Sequence, residues 1–401
     1  MKTAPPLKEG YSTGTSAAAA AMAAVRLLGG CPLPELERPA LPPFILRNNT
    51  LVPEFDERLS IPVAQGAYEN EKSAWALVIK DGGDDPDATH GAHIIARVSR
   101  SAFACLCQPV AVYEAGQPVF LYAGKGVGHA TLPGLPVAQG EPAINPEPRK
   151  QIAFAACEAA AACKISGPLH IEISVPDGEE RARRTLNARL GIVGGISILG
   201  TRGIVRPYSH DAWKMAISQG LDVAEALGLD EILLCTGRRS ERLGLAWIRV
   251  PEQAAIQAAD FAAHAIGEAA KHSFSRLNWV CFPGKLLKLA QGLAWTHAKS
   301  AAADLRLLAS LCRNAGGTEE LTRAVAAMPT AAGAFGLMQA TADLHKTVLD
   351  NLAHMAFDVL RTWLDAAGGQ HKKLALHVFS LDGKHLVTLP ETHTFYRLDM
   401  V

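Results

Sequence analysis

The sequence is short of charge bias, of aromatics and of paired cysteines. Lysine plus arginine number 39, aspartate plus glutamate number 39, and the formal net charge is zero. A chain so balanced carries no global basic field, which excludes nucleic acid as an expected partner. Only 6% of residues are aromatic, and no basic stripe is interleaved with them, so a stacking platform for single strands is not expected. No apolar run reaches the roughly 20 residues that a bilayer-spanning helix needs. The alanine-rich run after Ser16 is too short and too weakly apolar, so no membrane partner is expected. The polar opening MKTAPPLKEGYSTGT, broken by Pro5 and Pro6, predicts no targeting leader and a cytoplasmic location. Eight cysteines are present, none in a CxxC pair, so a zinc site is not expected. Cys105 and Cys107 alternate, which would put both on one face of a strand. Reduced, buried thiols are the reading for the set.

What is present suits a folded α/β protein. The chain has 401 residues, 49% of them hydrophobic and 19% charged, enough for a sizeable core in two or three domains. Ser12, Thr13 and Thr15 offer capping hydroxyls to a helix over 17–28 that Gly29-Gly30 would end. Residues 31–70 carry many prolines and read as an irregular excursion with one short strand. Short β-rich runs follow at 75–81, 93–99, 109–115 and 118–124, then a helix over 148–164 and a strand over 170–176. Beyond Ser209 the rhythm becomes helix 209–226, strand 231–235, helix 252–272, strand 279–282 and helix 284–294. That alternation predicts a parallel sheet covered by helices. Three helical stretches are expected in 297–366, and a closing hairpin turns at Asp382-Gly383. The fold class is therefore α/β: an α+β N-terminal domain over 1–206 and a Rossmann-like domain over 207–401.

Four stretches are too costly to be ordinary connectors. In GYSTGTSAAAA (10–20), glycine and small hydroxyl residues precede a helix, a setting that suits either an anion or a plain cap. In DGGDDPDATHG (81–91), Asp81, Asp84, Asp85 and Asp87 crowd one loop beside His90. Such carboxylates need a cation, a backbone nest or solvent. They could grip ribose hydroxyls, favour a sulfonium, hold magnesium, or form Asx turns. GKGVGHATLPGLPVAQGEPAINPEPR (124–149) is too rich in glycine and proline for regular structure, and long ordered loops are usually functional. In TLNARLGIVGGISILGTRGIVRPYS (185–209), Gly191, Gly194, Gly195, Gly200 and Gly203 permit close approach of a ligand or of another element.

Two shorter loops follow strands of the second half: TGRRSER (236–242) and PGKLLK (283–288). Both fall at the carboxyl edge of the expected sheet, where open α/β sheets bind ligands. Lys285 opens a helix but lacks the spacing of a phosphate loop. Basic side chains concentrate in the loops, among them Arg149, Arg181, Arg189, Arg202, Arg206, Arg238 and Arg239. A ligand with several carboxylates would suit them.

These four runs, with FPGKLLKLAQG (282–292) and the stretch after it to Arg306, resemble the CbiD family of cobalt-precorrin-5B C1-methyltransferases. The similarity spreads from about residue 10 to residue 310. Departures are visible. Ser16 stands where the family usually has cysteine, so no thiol can be required there. The stretch 31–56 is expanded, TGRRSER is unusually basic, and Ala298 and Lys299 replace an arginine-bearing form. The resemblance implies S-adenosylmethionine as methyl donor and a cobalt-containing tetrapyrrole as acceptor. It implies no protein-bound metal, since cobalt belongs to the substrate. On this reading the donor site comprises Gly191, Gly194, Gly195, Gly200, Thr236, Gly237 and Gly284. The substrate site comprises Thr13, Thr15, Asp81, Asp84, Asp85, His90, Arg202, Arg206 and Lys285. A homo-oligomer is left open. Two rivals are a magnesium-dependent phosphate-transferring enzyme using Lys285 and the aspartates, and a non-catalytic tetrapyrrole carrier.

Overall fold

Alanines 17 to 24 decide how the first half packs. Ser12 caps the helix they build, its side chain accepting from the Thr15 N–H at 3.1 Å. In this helix, α1 (Thr13–Leu28), every residue from Thr13 to Val25 is buried. A helix can be enclosed on all sides only if its side chains are small and apolar. Its neighbour α2 (Pro146–Ala162) is equally rich in alanine, so the two lie close together. The computed structural model describes residues 6–47, 50–104, 108–114, 117–297 and 303–390. Cys105, Cys107, Ala298 and Lys299 lie outside them.

The chain divides into two compact units, residues 1–210 and 211–401. In the first, six strands form one sheet: β1 (Gln65–Asn70), β2 (Ser73–Ile79), β3 (His93–Ser99), β4 (Val110–Glu114), β5 (Gln117–Ala123) and β6 (Leu169–Ser174). Their order is β1-β2-β3-β6-β5-β4, and all pairs are antiparallel except β5 with β6. Alternation sets the face that meets the helices. Ala74, Ala76 and Val78 of β2, Ile94, Ala96 and Val98 of β3, and Leu169, Ile171 and Ile173 of β6 are all fully buried. The excursion 31–70 is more regular than its prolines suggest. It holds the short strands Leu36–Glu37, Phe44–Arg47, Thr50–Pro53 and Ile61–Pro62 as well as β1. These pair with each other or with the sheet edge, where proline is tolerated.

The C-terminal turns of α1 and α2 bring two thiols together. Cys31 Sγ and Cys163 Sγ are 3.4 Å apart, and both are half-buried. Treatment with a small disulfide reagent is expected to join them by thiol–disulfide exchange. Thiol titration of the denatured protein should then lose two groups with no reagent retained, whereas a C31S variant should lose one, held as a mixed disulfide with the reagent. Cys157, Cys235, Cys281 and Cys312 are buried, and burial pushes Cys157 and Cys281 up to about 12.

The second unit has a five-stranded sheet: β7 (Glu231–Cys235), β8 (Ala255–Gln257), β9 (Arg276–Cys281), β10 (Lys373–Phe379) and β11 (His385–Leu389), in the order β8-β7-β9-β10-β11. The first four are parallel, and β11 returns antiparallel as the closing hairpin. Helices α3 (His210–Ala226), α4 (Arg238–Trp247), α5 (Ala262–Ala270) and α6 (Pro283–Ala290) alternate with the strands. α7 (Leu305–Asn314), α8 (Glu319–Ala327), α9 (Ala331–Met338) and α10 (Ala342–Ala366) precede the hairpin, four helices where three were expected. Two further differences are local. The expected helix 252–272 holds strand β8 before its helix begins at Ala262, and the basic run after Thr236 is helix α4 rather than a loop. β8 is only three residues long, too short for a period to register. α4 carries two arginines and a serine at its start, which read as loop. Among the described residues no helix is long and apolar enough to cross a membrane.

A polar thread crosses this sheet. Asn278 Nδ2 donates to Glu231 Oε1 at 3.0 Å, and Asn278 Oδ1 lies 3.2 Å from His377 Nε2. His377 Nδ1 lies 3.0 Å from Thr388 Oγ1, which His385 Nε2 reaches at 2.7 Å. Burial, with the neighbouring His385, pulls His377 down from 6.5 to about 3. The folded chain therefore refuses a proton that the unfolded chain takes up below about 6.5. Stability is complete above that value and falls as pH drops toward about 3. The expected loss is about 1.4 kcal/mol per pH unit, or about 2–3 kcal/mol by roughly pH 4.5. Urea titrations at stepped pH should show this slope, and His377→Gln should flatten it.

Candidate active site

Three of the four unusual runs are knitted together by very short ladders. Gly10–Tyr11 pairs antiparallel with Ile204–Val205. Gly126–Val127 pairs in parallel with Gly195–Ile196, and His129–Ala130 pairs antiparallel with Ile192–Val193. The long glycine- and proline-rich stretch thus contains two strands, contrary to the expectation of no regular structure. Glycine makes the crossing possible. Gly126 has φ +74°, and a Cβ there would lie 1.9 Å from Val175 O. A Cβ on Gly195 would lie 2.0 Å from Gly126 O. The fourth run joins through Lys8 and Gly10, whose backbone presses on the aspartate loop: Asp84 N donates to Lys8 O and Tyr11 N to Asp81 O, each at 2.9 Å.

A cleft of about 140 Å³ opens where these runs meet. It is lined by Ser12 and Thr13 at the start of α1, by Lys80, Asp87 and Thr89, and by Thr185, Asn187, Ile196, Ser197, Leu199 and Val205. Lys80 and Asp87 form an ion pair in its wall. Asp87 also accepts from Thr89 N at 2.7 Å and Thr89 Oγ1 at 2.6 Å. Burial pushes the Asp87 carboxyl up, but the Lys80 charge and these hydrogen bonds outweigh it and hold the group below its ordinary value.

The other aspartates are held by cations and backbone amides. Asp81 takes Lys8 Nζ at 2.5 Å and Gly83 N at 2.8 Å, and these bonds lower its carboxyl. Asp84 accepts from Lys8 N at 2.6 Å, and Asp85 from Tyr208 N at 2.8 Å. His90 accepts from Gly82 N at 3.0 Å and is more than half exposed. Thr13 Oγ1 donates to Leu199 O at 3.0 Å, and Thr15 Oγ1 to Gly203 O at 2.7 Å. Arg202 is exposed, and Arg206 pairs with Glu9 at 3.1 Å across the surface. Of the expected substrate residues, only Thr13 lines the cleft. Among the expected donor glycines, Gly191 packs on Leu132, Gly195 on Gly126 and Gly200 on Ser12, while Gly194 is exposed. Their closeness is to the protein's own chain.

Lys80, Asn187 and Ser197 line the cleft without having been singled out. Lys80 had a signal: it continues the inward parity of Ala74, Ala76 and Val78, where a charge is out of place. Asn187 and Ser197 had none.

In the second unit, Thr236, Gly237 and Gly284 sit at the carboxyl ends of β7 and β9, which are neighbours although β8 lies between them in sequence. Connections leave in opposite directions at such a switch point, and ligands favour the crevice there. Thr236 N reaches Val280 O at 3.3 Å, which holds the two strand ends together. A Cβ on Gly237 or Gly284 would meet nothing within 4 Å. Lys285 is not available to a phosphate. Its Nζ bonds Asp260, Thr296 O at 3.1 Å and Thr296 Oγ1 at 3.2 Å. Beside it, burial and the Lys285 charge pull the Lys288 ammonium down.

A model of the CbiD family matches residues 1–207, and one of the CbiD C-terminal domain matches residues 295–389. The chain belongs to the CbiD family. It is 48% identical over 384 residues to a protein of Nitratidesulfovibrio vulgaris named cobalt-precorrin-5B C(1)-methyltransferase, covering 95% of this chain and 92% of that one. A protein of the same name from Geobacillus sp. is 41% identical, with 84% of this chain and 86% of that one covered. One from Agrobacterium fabrum is 40% identical, with 89% and 88% covered. A crystal structure of a cobalamin biosynthesis protein (cbiD) from Archaeoglobus fulgidus is 27% identical, with a TM-score of 0.36, over 71% of this chain and 79% of that one.

Proposed function

We propose that the protein methylates C1 of cobalt-precorrin-5B with S-adenosylmethionine, giving cobalt-precorrin-6A on the route to cobalamin. The observation that carries this reading is the 48% identity that runs along 95% of the chain to a methyltransferase of that name. The chemistry agrees with the side chains. A sulfonium–methyl bond breaks as a carbon–carbon bond forms, and the donor leaves as a neutral thioether. No general acid is needed, and alignment of the two ligands can supply much of the rate. The donor is assigned to the open crevice at Thr236, Gly237 and Gly284. The macrocycle is assigned to the loops of the first unit, with Arg202 and Arg206 meeting its carboxylates. The glycines at 191, 195 and 200 serve by letting those loops pack. The phosphate-transferring alternative is disfavoured because Asp260 and Thr296 already hold Lys285.

Anaerobic incubation of the purified protein with cobalt-precorrin-5B and S-adenosylmethionine should add one methyl group, read by mass spectrometry. An unchanged tetrapyrrole mass would defeat the reading. Arg206→Ala is expected to weaken tetrapyrrole binding about tenfold and donor binding hardly at all. Equal weakening in titrations of both ligands would count against the division of sites.

A further inference from the structure

Methyl transfer needs no charged group, yet the cleft in the first unit is built around one. Lys80 has a side chain only 1% exposed. The single hydrogen-bond partner of its ammonium among the described residues is Asp87. An ammonium carries three N–H groups, so two are left without a protein acceptor at the wall of the cleft. Burying such donors unpaired is costly. Asp87 takes Lys80 on one oxygen and both donors of Thr89 on the other. The start of α1 contributes Ser12 and Thr13 to the wall, but its first amides are taken, Gly14 N by Leu199 O and Thr15 N by Ser12 Oγ, each at 3.1 Å. Ser197, also in the wall, is buried, and its hydroxyl has no partner among the described residues. The Lys80 ammonium and the Ser197 hydroxyl can both donate into this space of about 140 Å³.

We propose that this cleft is a carboxylate subsite, in which Lys80 and the Ser197 hydroxyl receive an anionic arm of a bound ligand. It rests on the reading that the protein binds a tetrapyrrole and a methyl donor, both of which carry carboxylates. The macrocycle's acetate and propionate arms are the expected source, and the donor's α-carboxylate is the other. Asp87 holds Lys80 in place and is a positioning residue.

The test uses the full-length protein and two matched pairs of probes in calorimetric titrations. One pair is cobyrinic acid and its heptamethyl ester. The other is S-adenosylhomocysteine and methylthioadenosine, which lacks the amino-acid arm. Lys80→Met should weaken cobyrinic acid by about tenfold or more, the range of a charge-assisted hydrogen bond, and leave the ester unchanged. Weakening confined to S-adenosylhomocysteine would uphold the carboxylate site and name the donor as its source. Lys80→Met that binds all four probes like the wild type overturns the proposal. Should that variant fail to fold, the double variant Lys80→Met with Asp87→Leu decides: binding of both acids like the wild type overturns it, and weakening of one acid with its matched partner unchanged upholds it. Wild-type protein that binds none of the four removes the methyl-transfer reading as well, whereas equal affinity within both pairs removes the carboxylate subsite alone.

Discussion

Replacing Gly126 by alanine is expected to cost roughly 2–5 kcal/mol, adding a left-handed backbone penalty to an overpacking one. The two causes act at one atom. With φ at +74°, alanine would be strained in open space. Here the new methyl would also lie 1.9 Å from Val175 O and 3.0 Å from Gly178 N, both backbone atoms that cannot rotate aside. Any shift of this segment is passed to Gly195, which crosses Gly126 at similar range. The ladders around the cleft should therefore fail together, with loss of methyl transfer. Gly194→Ala is the control. It too has a positive φ, +87°, but its nearest neighbour is His129 Nδ1 at 3.7 Å, so only the backbone cost of about 1 kcal/mol applies. Denaturant midpoints compare the two directly. A Gly126→Ala midpoint equal to that of Gly194→Ala would show that the clash is relieved by movement the structure does not suggest.

Asp87→Asn is expected to destabilise the first unit by roughly 3–5 kcal/mol, because it leaves a buried ammonium without a counter-charge. The acid limb of stability should change with it. Asp87 titrates below its ordinary value in the folded state, so its contribution is present above the normal carboxylate range and disappears as pH falls through the lowered value. The variant should lack that part of the acid slope. The double variant Lys80→Met with Asp87→Leu removes both charges and keeps the volume, and much of the stability should return. Ligand binding should not return with it. A double variant as unstable as Asp87→Asn alone would mean that the pair matters through shape rather than charge. Chemical denaturation between acid and neutral pH, followed by titration with ligand, separates the outcomes.

The strands of both sheets were legible where alternation was long enough to count. β2, β3 and β6 show their inward residues at every second position, and the parallel unit shows its βα rhythm. What escaped was short or disguised. β8 spans three residues, and the pieces within 31–70 owe their pairing to partners distant in sequence. α4 hid behind arginines that face outward. At the site, glycine content marked runs that pack closely on one another, but not what they approach. A glycine pattern states that something comes close, and only the fold says whether it is a ligand or the next loop. The aspartates were equally ambiguous until Lys8, Lys80 and the amides of Lys8, Gly83, Thr89 and Tyr208 were seen to hold them.

The two-residue ladders have a consequence for biosynthesis of the protein itself. The cleft wall draws on residues as early as Ser12 and as late as Val205. No growing chain shorter than that can present a finished cavity, however well its helices and sheet have already formed. Ligand capture therefore waits for nearly the whole first unit to leave the ribosome. A fragment ending before Gly191 should keep much of its secondary structure yet offer a small molecule nowhere to lodge.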